Sequence, residues 1–130
     1  MADRIGTVPG LSTPSGVWST VVTSPAKRLV FISGLVARDA EGTLVGVGDM
    51  TLQTRQVCEN LKLALAAAGA TLADVLRVDV YVTRIDRFAE IHAVRREYFP
   101  QDPPASTMVE VTRLVHPDAM IEITATAAID

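Results

Sequence analysis

Between residues 77 and 83 apolar and polar positions alternate strictly. Val78, Val80 and Val82 fall on one side of an extended chain, and Arg77, Asp79, Tyr81 and Thr83 on the other. A period of two predicts a strand with one face against a core. The pattern recurs over residues 120 to 128, where Ile121, Ile123, Ala125 and Ala127 oppose Glu122, Thr124 and Thr126. Residues 29 to 36 form an almost continuous apolar run, and residues 18 to 23 and 107 to 111 are shorter strand candidates. The turn Ser24-Pro25-Ala26-Lys27 is short enough to make the first two of these a hairpin. Asp39-Ala40-Glu41-Gly42 predicts another turn, and Gly46-Val47-Gly48 a loop.

After residue 49 the period becomes helical. Val57, Leu61, Leu65 and Ala68 recur every three or four positions. Asp49 precedes them as an N-cap whose carboxylate accepts the free N–H groups of the first turn, and Gly69 stands where a left-handed residue closes a helix. A second helix is expected from a cap at Asp86, with Phe88, Ile91, Val94 and Tyr98 as its buried stripe. Pro100 stops it, and Pro103-Pro104 stiffens the loop beyond. The predicted order is β-β-α-β-α-β-β, an α+β domain spanning residues 1–130 without repeat or linker. A helix between parallel strands crosses over with one hand, which places both helices on the same face of a mixed β-sheet. The other face needs cover, and a second copy of the chain is the simplest source.

Composition narrows the reading. Of the 130 residues, 48% are hydrophobic but only 5% aromatic, so the core is built from Val, Ile, Leu and Ala. A mean hydropathy of +0.28 is high for so small a protein and points to apolar surface buried between subunits. The net charge of -3 gives no basic footprint, which makes nucleic acid an unattractive partner. The one cysteine, Cys58, cannot close an internal disulfide and suits a reducing compartment. Residues 1 to 14 are interrupted by Gly6, Pro9, Gly10 and Pro14, so neither a signal peptide nor a membrane span is expected there, and the cytoplasm is the default location.

Several short motifs run through the chain in order. They are Ser33-Gly34 at a strand end; Gln53-Thr54-Arg55-Gln56-Val57, Glu59-Asn60-Leu61 and Ala67-Ala68-Gly69-Ala70 along the first helix; then Glu97-Tyr98-Phe99, Pro103-Pro104-Ala105, Val109-Glu110-Val111 and Ile121-Glu122-Ile123. Together they cover nearly the whole chain, and the sequence resembles the Rid (reactive intermediate deaminase, YjgF, endoribonuclease L-PSP-like) family. The resemblance implies a mixed sheet with two helices on one face, assembled as a chorismate-mutase-like homotrimer with a cleft for a small metabolite between each pair of subunits. It further implies hydrolysis of reactive enamines or imines, such as 2-aminoacrylate, to a 2-oxo acid and ammonia, with no cofactor. Such a substrate carries a carboxylate, which a guanidinium holds through two parallel hydrogen bonds.

By the same resemblance, Glu122 is the acidic residue that orients the attacking water. The expected ligand-binding set is Trp18, Ser33, Gly34, Tyr81, His92, Ser106 and Thr107. One of these departs from the family. The arginine that follows its Pro-Ala pair is Ser106 here, which has no charge and one donor in place of five. Weak turnover of 2-aminoacrylate is therefore expected, unless Arg113, Arg84, or Arg38 of a neighbouring subunit supplies the missing charge. Trp18 stands for a family tyrosine in Gly16-Val17-Trp18-Ser19, and His92 for an asparagine. The alternatives are a hydrolase of altered scope, a non-catalytic ligand-binding trimer, and an RNA-cleaving or translation-inhibiting activity.

Plainer roles stand beside these. Glu122 can be a solvent-facing strand residue, Ser106 a simple loop serine, and Gly34 the relief of a close strand contact rather than a ligand contact. Trp18 can serve a cleft wall or the core. His92 and His116 are too few and too far apart for a metal site, and His116-Pro117-Asp118 reads as a turn. Cys58 reads as a small buried hydrophobe, and Arg95-Arg96 as a solvated helix face.

Overall fold

The computed structural model describes every residue except Met1, Leu11 and Ser15. Among the described residues, six strands and two α-helices follow in the order β1 (Asp3–Ile5), β2 (Val21–Thr23), β3 (Arg28–Leu35), α1 (Met50–Ala67), β4 (Val75–Val82), α2 (Phe88–Tyr98), β5 (Ala105–Glu110) and β6 (Ile121–Ile129). β3, β6, β4 and β5 form one four-stranded mixed sheet in that spatial order. β6 runs antiparallel to both β3 and β4, whereas β4 and β5 are parallel and joined through α2. This is the predicted α+β architecture.

Both helices cover one face of the sheet. Val78, Val80 and Val82 of β4 and Ile121, Ile123 and Ala125 of β6 meet Val57, Leu61 and Leu65 of α1 and Ile91 of α2 in one core. Asp49 caps α1 as expected, accepting the Leu52 N–H at 2.9 Å. Gly69 follows its last turn with φ of 77°, a left-handed value that favours glycine. Gln53 is fully buried yet satisfied: Nε2 donates to the carbonyls of Gly46 at 3.0 Å and Asp118 at 2.9 Å, and Oε1 accepts the Met120 N–H at 2.8 Å. One side chain thus ties the loop before α1 to the turn that leads into β6.

Among the described residues, no helix covers the opposite face. Leu29 and Phe31 of β3 lie on it, Phe31 being 74% exposed, together with Thr124 and Thr126 of β6 and Arg77, Asp79 and Tyr81 of β4.

Three local expectations change. The predicted hairpin does not form: β2 pairs antiparallel with β1, a strand in a segment read only as irregular, while β3 pairs with β6. Pro25 has no N–H to offer a ladder, and the Ala26 N–H donates to Ser24 Oγ at 3.1 Å, which diverts the turn. Asp86 does not cap α2. It pairs with Arg84 at 2.8 Å inside a 3-10 turn over Ile85–Arg87 that leads into the helix. The buried stripe of α2 is Ile91, Val94 and Arg95, whereas Phe88 is 50% exposed.

Candidate functional site

The first group of site residues gathers between α2 and the edge strand β5. Phe88, His92 and Arg95 are spaced i, i+4 and i+7, so one side of α2 presents all three. Ser106 and Met108 sit opposite Val78 and Val80 in the β4–β5 register and therefore point to the helix side of the sheet. Trp18 completes the wall. Its loop is held by Ser19, whose N–H donates to the Pro104 carbonyl at 2.9 Å and whose hydroxyl donates to the Pro103 carbonyl. Trp18, Ile85, Phe88, His92, Arg95, Ser106 and Met108 enclose about 290 Å³. The His92 ring lies 5.4 Å from Phe88, edge to face, and 6.4 Å from Trp18. Burial, reinforced by the charges of Arg95 and Arg96, pushes the His92 pKa below its ordinary value, so the imidazole is neutral near pH 7.

Arg95 was expected on a solvated face with Arg96. Instead it is 2% exposed, while Arg96 faces water. Its Nη2 donates to Ser106 Oγ at 2.9 Å and to the Val17 carbonyl at 3.3 Å. Desolvation lowers its pKa to about 10. The spacing held the clue, since Arg95 lies one turn beyond Ile91 on the apolar stripe; only its charge argued for solvent. Ser106 is accordingly a strand residue with a defined partner. Of the substitutes considered, Arg84 is engaged by Asp86, Arg113 is exposed, and Arg38 is exposed beside the second group.

That second group lies at the other edge of the sheet. β3 carries one extra residue between Ile32 and Leu35 relative to β6, so Ser33-Gly34 forms a bulge. Glu122 of β6 lies directly over it: a Cβ built on Gly34 would stand 2.5 Å from Glu122 Oε2. Gly34 thus relieves a close approach, and what approaches is the proposed acid. Tyr81 is the β4 residue opposite Glu122. Gly34, Arg38, Asn60, Leu63, Val115 and Glu122 are among the residues lining a recess of about 480 Å³. The Asn60 side chain fixes its rim by donating to the carbonyls of Val36 at 3.2 Å and Arg38 at 2.8 Å.

The predicted set therefore splits. Trp18, His92 and Ser106 come together at β5; Gly34 and Glu122 come together at β3 and β6, with Ser33 in the same bulge and Tyr81 alongside. Thr107 alternates away from Ser106 onto the uncovered face, opposite Asp79. Glu122 on β6 lies two strand spacings from β5, about 10 Å at 4.8 Å per strand, and faces the uncovered side whereas Ser106 faces the helices, so one chain does not unite the groups. Outside them, Cys58 is fully buried with its thiol pushed up to about 12 by desolvation, which suits a packing residue. His116 Nδ1 accepts the Asp118 N–H at 3.0 Å within the expected turn.

These features define a class: small α+β proteins with a mixed four-stranded sheet and both helices on one face. A solved structure of a protein of unknown function of the conserved Rid protein family from Yersinia pestis has this form, at a TM-score of 0.89 and 38% identity over 98% of both chains. The chain belongs to the family described as Endoribonuclease L-PSP, whose model matches residues 11–129. A RutC family protein of Pyrococcus horikoshii is 41% identical over 114 residues, 88% of each chain. The 3-aminoacrylate deaminase RutC of Acinetobacter baylyi is 37% identical over 115 residues, covering 88% of this chain and 90% of that protein. Among the described residues, no helix is long and apolar enough to cross a membrane.

Proposed function

We propose that the protein is a hydrolytic deaminase of small reactive enamines or imines, acting as a homotrimer with its clefts between subunits. One observation carries the reading: the two groups of site residues lie at opposite edges of one sheet. A head-to-tail ring brings the β5 edge of one subunit to the β3 edge of the next and builds one complete cleft per interface. The uncovered sheet face, with Phe31 exposed on it, supplies apolar surface for such contacts. The similarity to a 3-aminoacrylate deaminase supports the reaction class.

In this reading the substrate sits between the Trp18 pocket and Glu122. Water adds to the carbon of the C=N bond, or to that of the iminium formed when an enamine takes a proton on carbon. The Glu122 carboxylate accepts one water proton and returns it to nitrogen, giving a carbinolamine. As the C–N bond breaks it takes the remaining hydroxyl proton, which goes to the departing nitrogen of an imine or balances the proton an enamine took up on carbon, and ammonia leaves with a carbonyl product. Neutral His92 shapes the pocket beside the reacting group.

The test is ammonia release from freshly generated imines and from 3-aminoacrylate, compared with buffer, alongside sedimentation at micromolar concentration. The expected result is acceleration by a trimer and loss of that acceleration in Glu122→Gln with the trimer intact. Release no faster than buffer, from a trimer that still binds 2-oxo acids, would instead establish a ligand-binding protein. A stable monomer would remove the shared cleft.

A further inference from the structure

We infer that Arg95 is the anion anchor of the α2–β5 pocket, where its guanidinium and the Ser106 hydroxyl hold the carboxylate of a ligand with an apolar side chain. This deepens the reading of the cleft given above, and it is decided by binding alone.

Among the described residues Arg95 is the one arginine that is buried. Arg28, Arg38, Arg96 and Arg113 have no carboxylate partner but are exposed, and Arg4, half-buried, bonds only to carbonyls. Arg55, Arg77, Arg84 and Arg87 are all paired with carboxylates, at 3.0, 2.9, 2.8 and 2.6 Å. Each is partly exposed, where an unpaired charge costs little. Arg95 is buried, where an unpaired charge costs most. Yet among the described residues its hydrogen bonds go only to a carbonyl and a hydroxyl, and no carboxylate lies within ion-pair distance. A buried guanidinium without a counter-ion, on the wall of an open pocket, is a site lacking its anion. Ser106 belongs to the same device: its oxygen accepts from Nη2, which leaves the hydroxyl proton directed elsewhere and available to an anion.

The remaining walls set the ligand's other end. Trp18, Ile85, Phe88 and Met108 are apolar or aromatic. The pocket volume of 290 Å³ equals the liquid volume of about ten waters, more than a three-carbon acid fills. A monocarboxylate with a branched aliphatic or aromatic side chain matches both the charge and the space.

The experiment is calorimetric titration of the intact protein with 4-methyl-2-oxopentanoate, which is stable and needs no turnover, against the neutral ketone 4-methyl-2-pentanone. The natural protein should bind the acid in preference to the ketone. Arg95→Met should weaken acid binding by at least about tenfold to a hundredfold, the value of one hydrogen bond to a charged group, and leave ketone binding unchanged. Methionine matches the apolar stem of the arginine and removes the buried charge, which favours retention of the fold; sedimentation and thermal unfolding check it.

A second pair of variants removes dependence on that one substitution. Ser106→Arg alone sets a second guanidinium against the first and should bind the acid no better. Combined with Arg95→Met it moves the cation from helix to strand and should recover binding. The inference is overturned if the natural protein does not prefer the acid, if Arg95→Met binds it equally well, or if Arg95→Met dissociates the oligomer, which would mark Arg95 as a partner of a neighbouring subunit's acid. Absence of deamination with these binding results intact would overturn the deaminase reading alone.

Discussion

Replacing Gly34 with alanine separates what this glycine does for the fold from what it does for Glu122. The new methyl carbon would stand 2.5 Å from Glu122 Oε2, 2.7 Å from Cδ and 3.1 Å from Cγ. Those separations are too short to persist, so one partner must move. Gly34 has no left-handed backbone angle, and alanine can adopt its conformation. All three close atoms belong to the end of a flexible, half-buried side chain. Glu122 therefore swings aside, at about 0.5–1.5 kcal/mol if it is held off its preferred rotamer. The lower chain entropy of unfolded alanine returns about 0.4–1 kcal/mol. The two nearly cancel, so the expected stability change is within about 1 kcal/mol, a few degrees in Tm. The carboxylate, however, no longer sits over the bulge. If it manages the proton, imine hydrolysis should fall by at least about tenfold, up to the roughly 10²–10⁴-fold that general acid–base catalysis supplies. Adding Glu122→Gln should lower the rate little further, because both changes remove the same contribution. The assay pairs thermal unfolding with ammonia release. A loss above about 2 kcal/mol would show that the strands, not the side chain, are tightly opposed; an unchanged rate would show that the placement of Glu122 over Gly34 is irrelevant to chemistry.

Two further predictions concern stability. Gln53→Ala strands the Gly46 and Asp118 carbonyls and the Met120 N–H in the interior, and should cost about 3 kcal/mol or more in denaturant unfolding; a change below about 1 kcal/mol would mean that water replaces all three bonds. For His92 the folded pKa is depressed below its ordinary value of 6.5 by burial and by the nearby arginines. The unfolded chain then takes up a proton that the folded chain resists, so this histidine's contribution is present above about pH 6.5 and is lost as pH falls below it. His92→Asn should flatten the acid side of the stability–pH curve, and an identical curve would show that other groups control it.

The helices and central strands were legible because local signals agreed: Asp49 and Gly69 bracket α1, and strict alternation marks β4 and β6. The pairing of β2 was not legible, since three residues carry too little pattern to choose between β1 and β3. The family motif around Gln53 was legible as a motif, although its role is to satisfy buried backbone groups rather than to meet a ligand. Glu122 and Ser106 could each be singled out in sequence, but strand order, which puts β4 between their strands and sends them to opposite faces of the sheet, is set by long-range pairing that no local window contains. Arg95 was hidden for a different reason. Its spacing placed it inside and its charge placed it outside, and a sequence alone offers no way to weigh a pocket that can hold an anion.

Division of the site between two sheet edges has a genetic consequence. In the proposed ring each cleft takes its Trp18 half from one subunit and its Glu122 half from the next. A subunit damaged in one half therefore remains a competent donor of the other. Two impaired variants, one altered at Arg95 and one at Glu122, should rescue each other when unfolded and refolded together, or when expressed in one cell. With equal mixing and random assembly, about a quarter of the clefts receive both intact halves. Neither parent alone has any, and two variants damaged in the same half regain nothing.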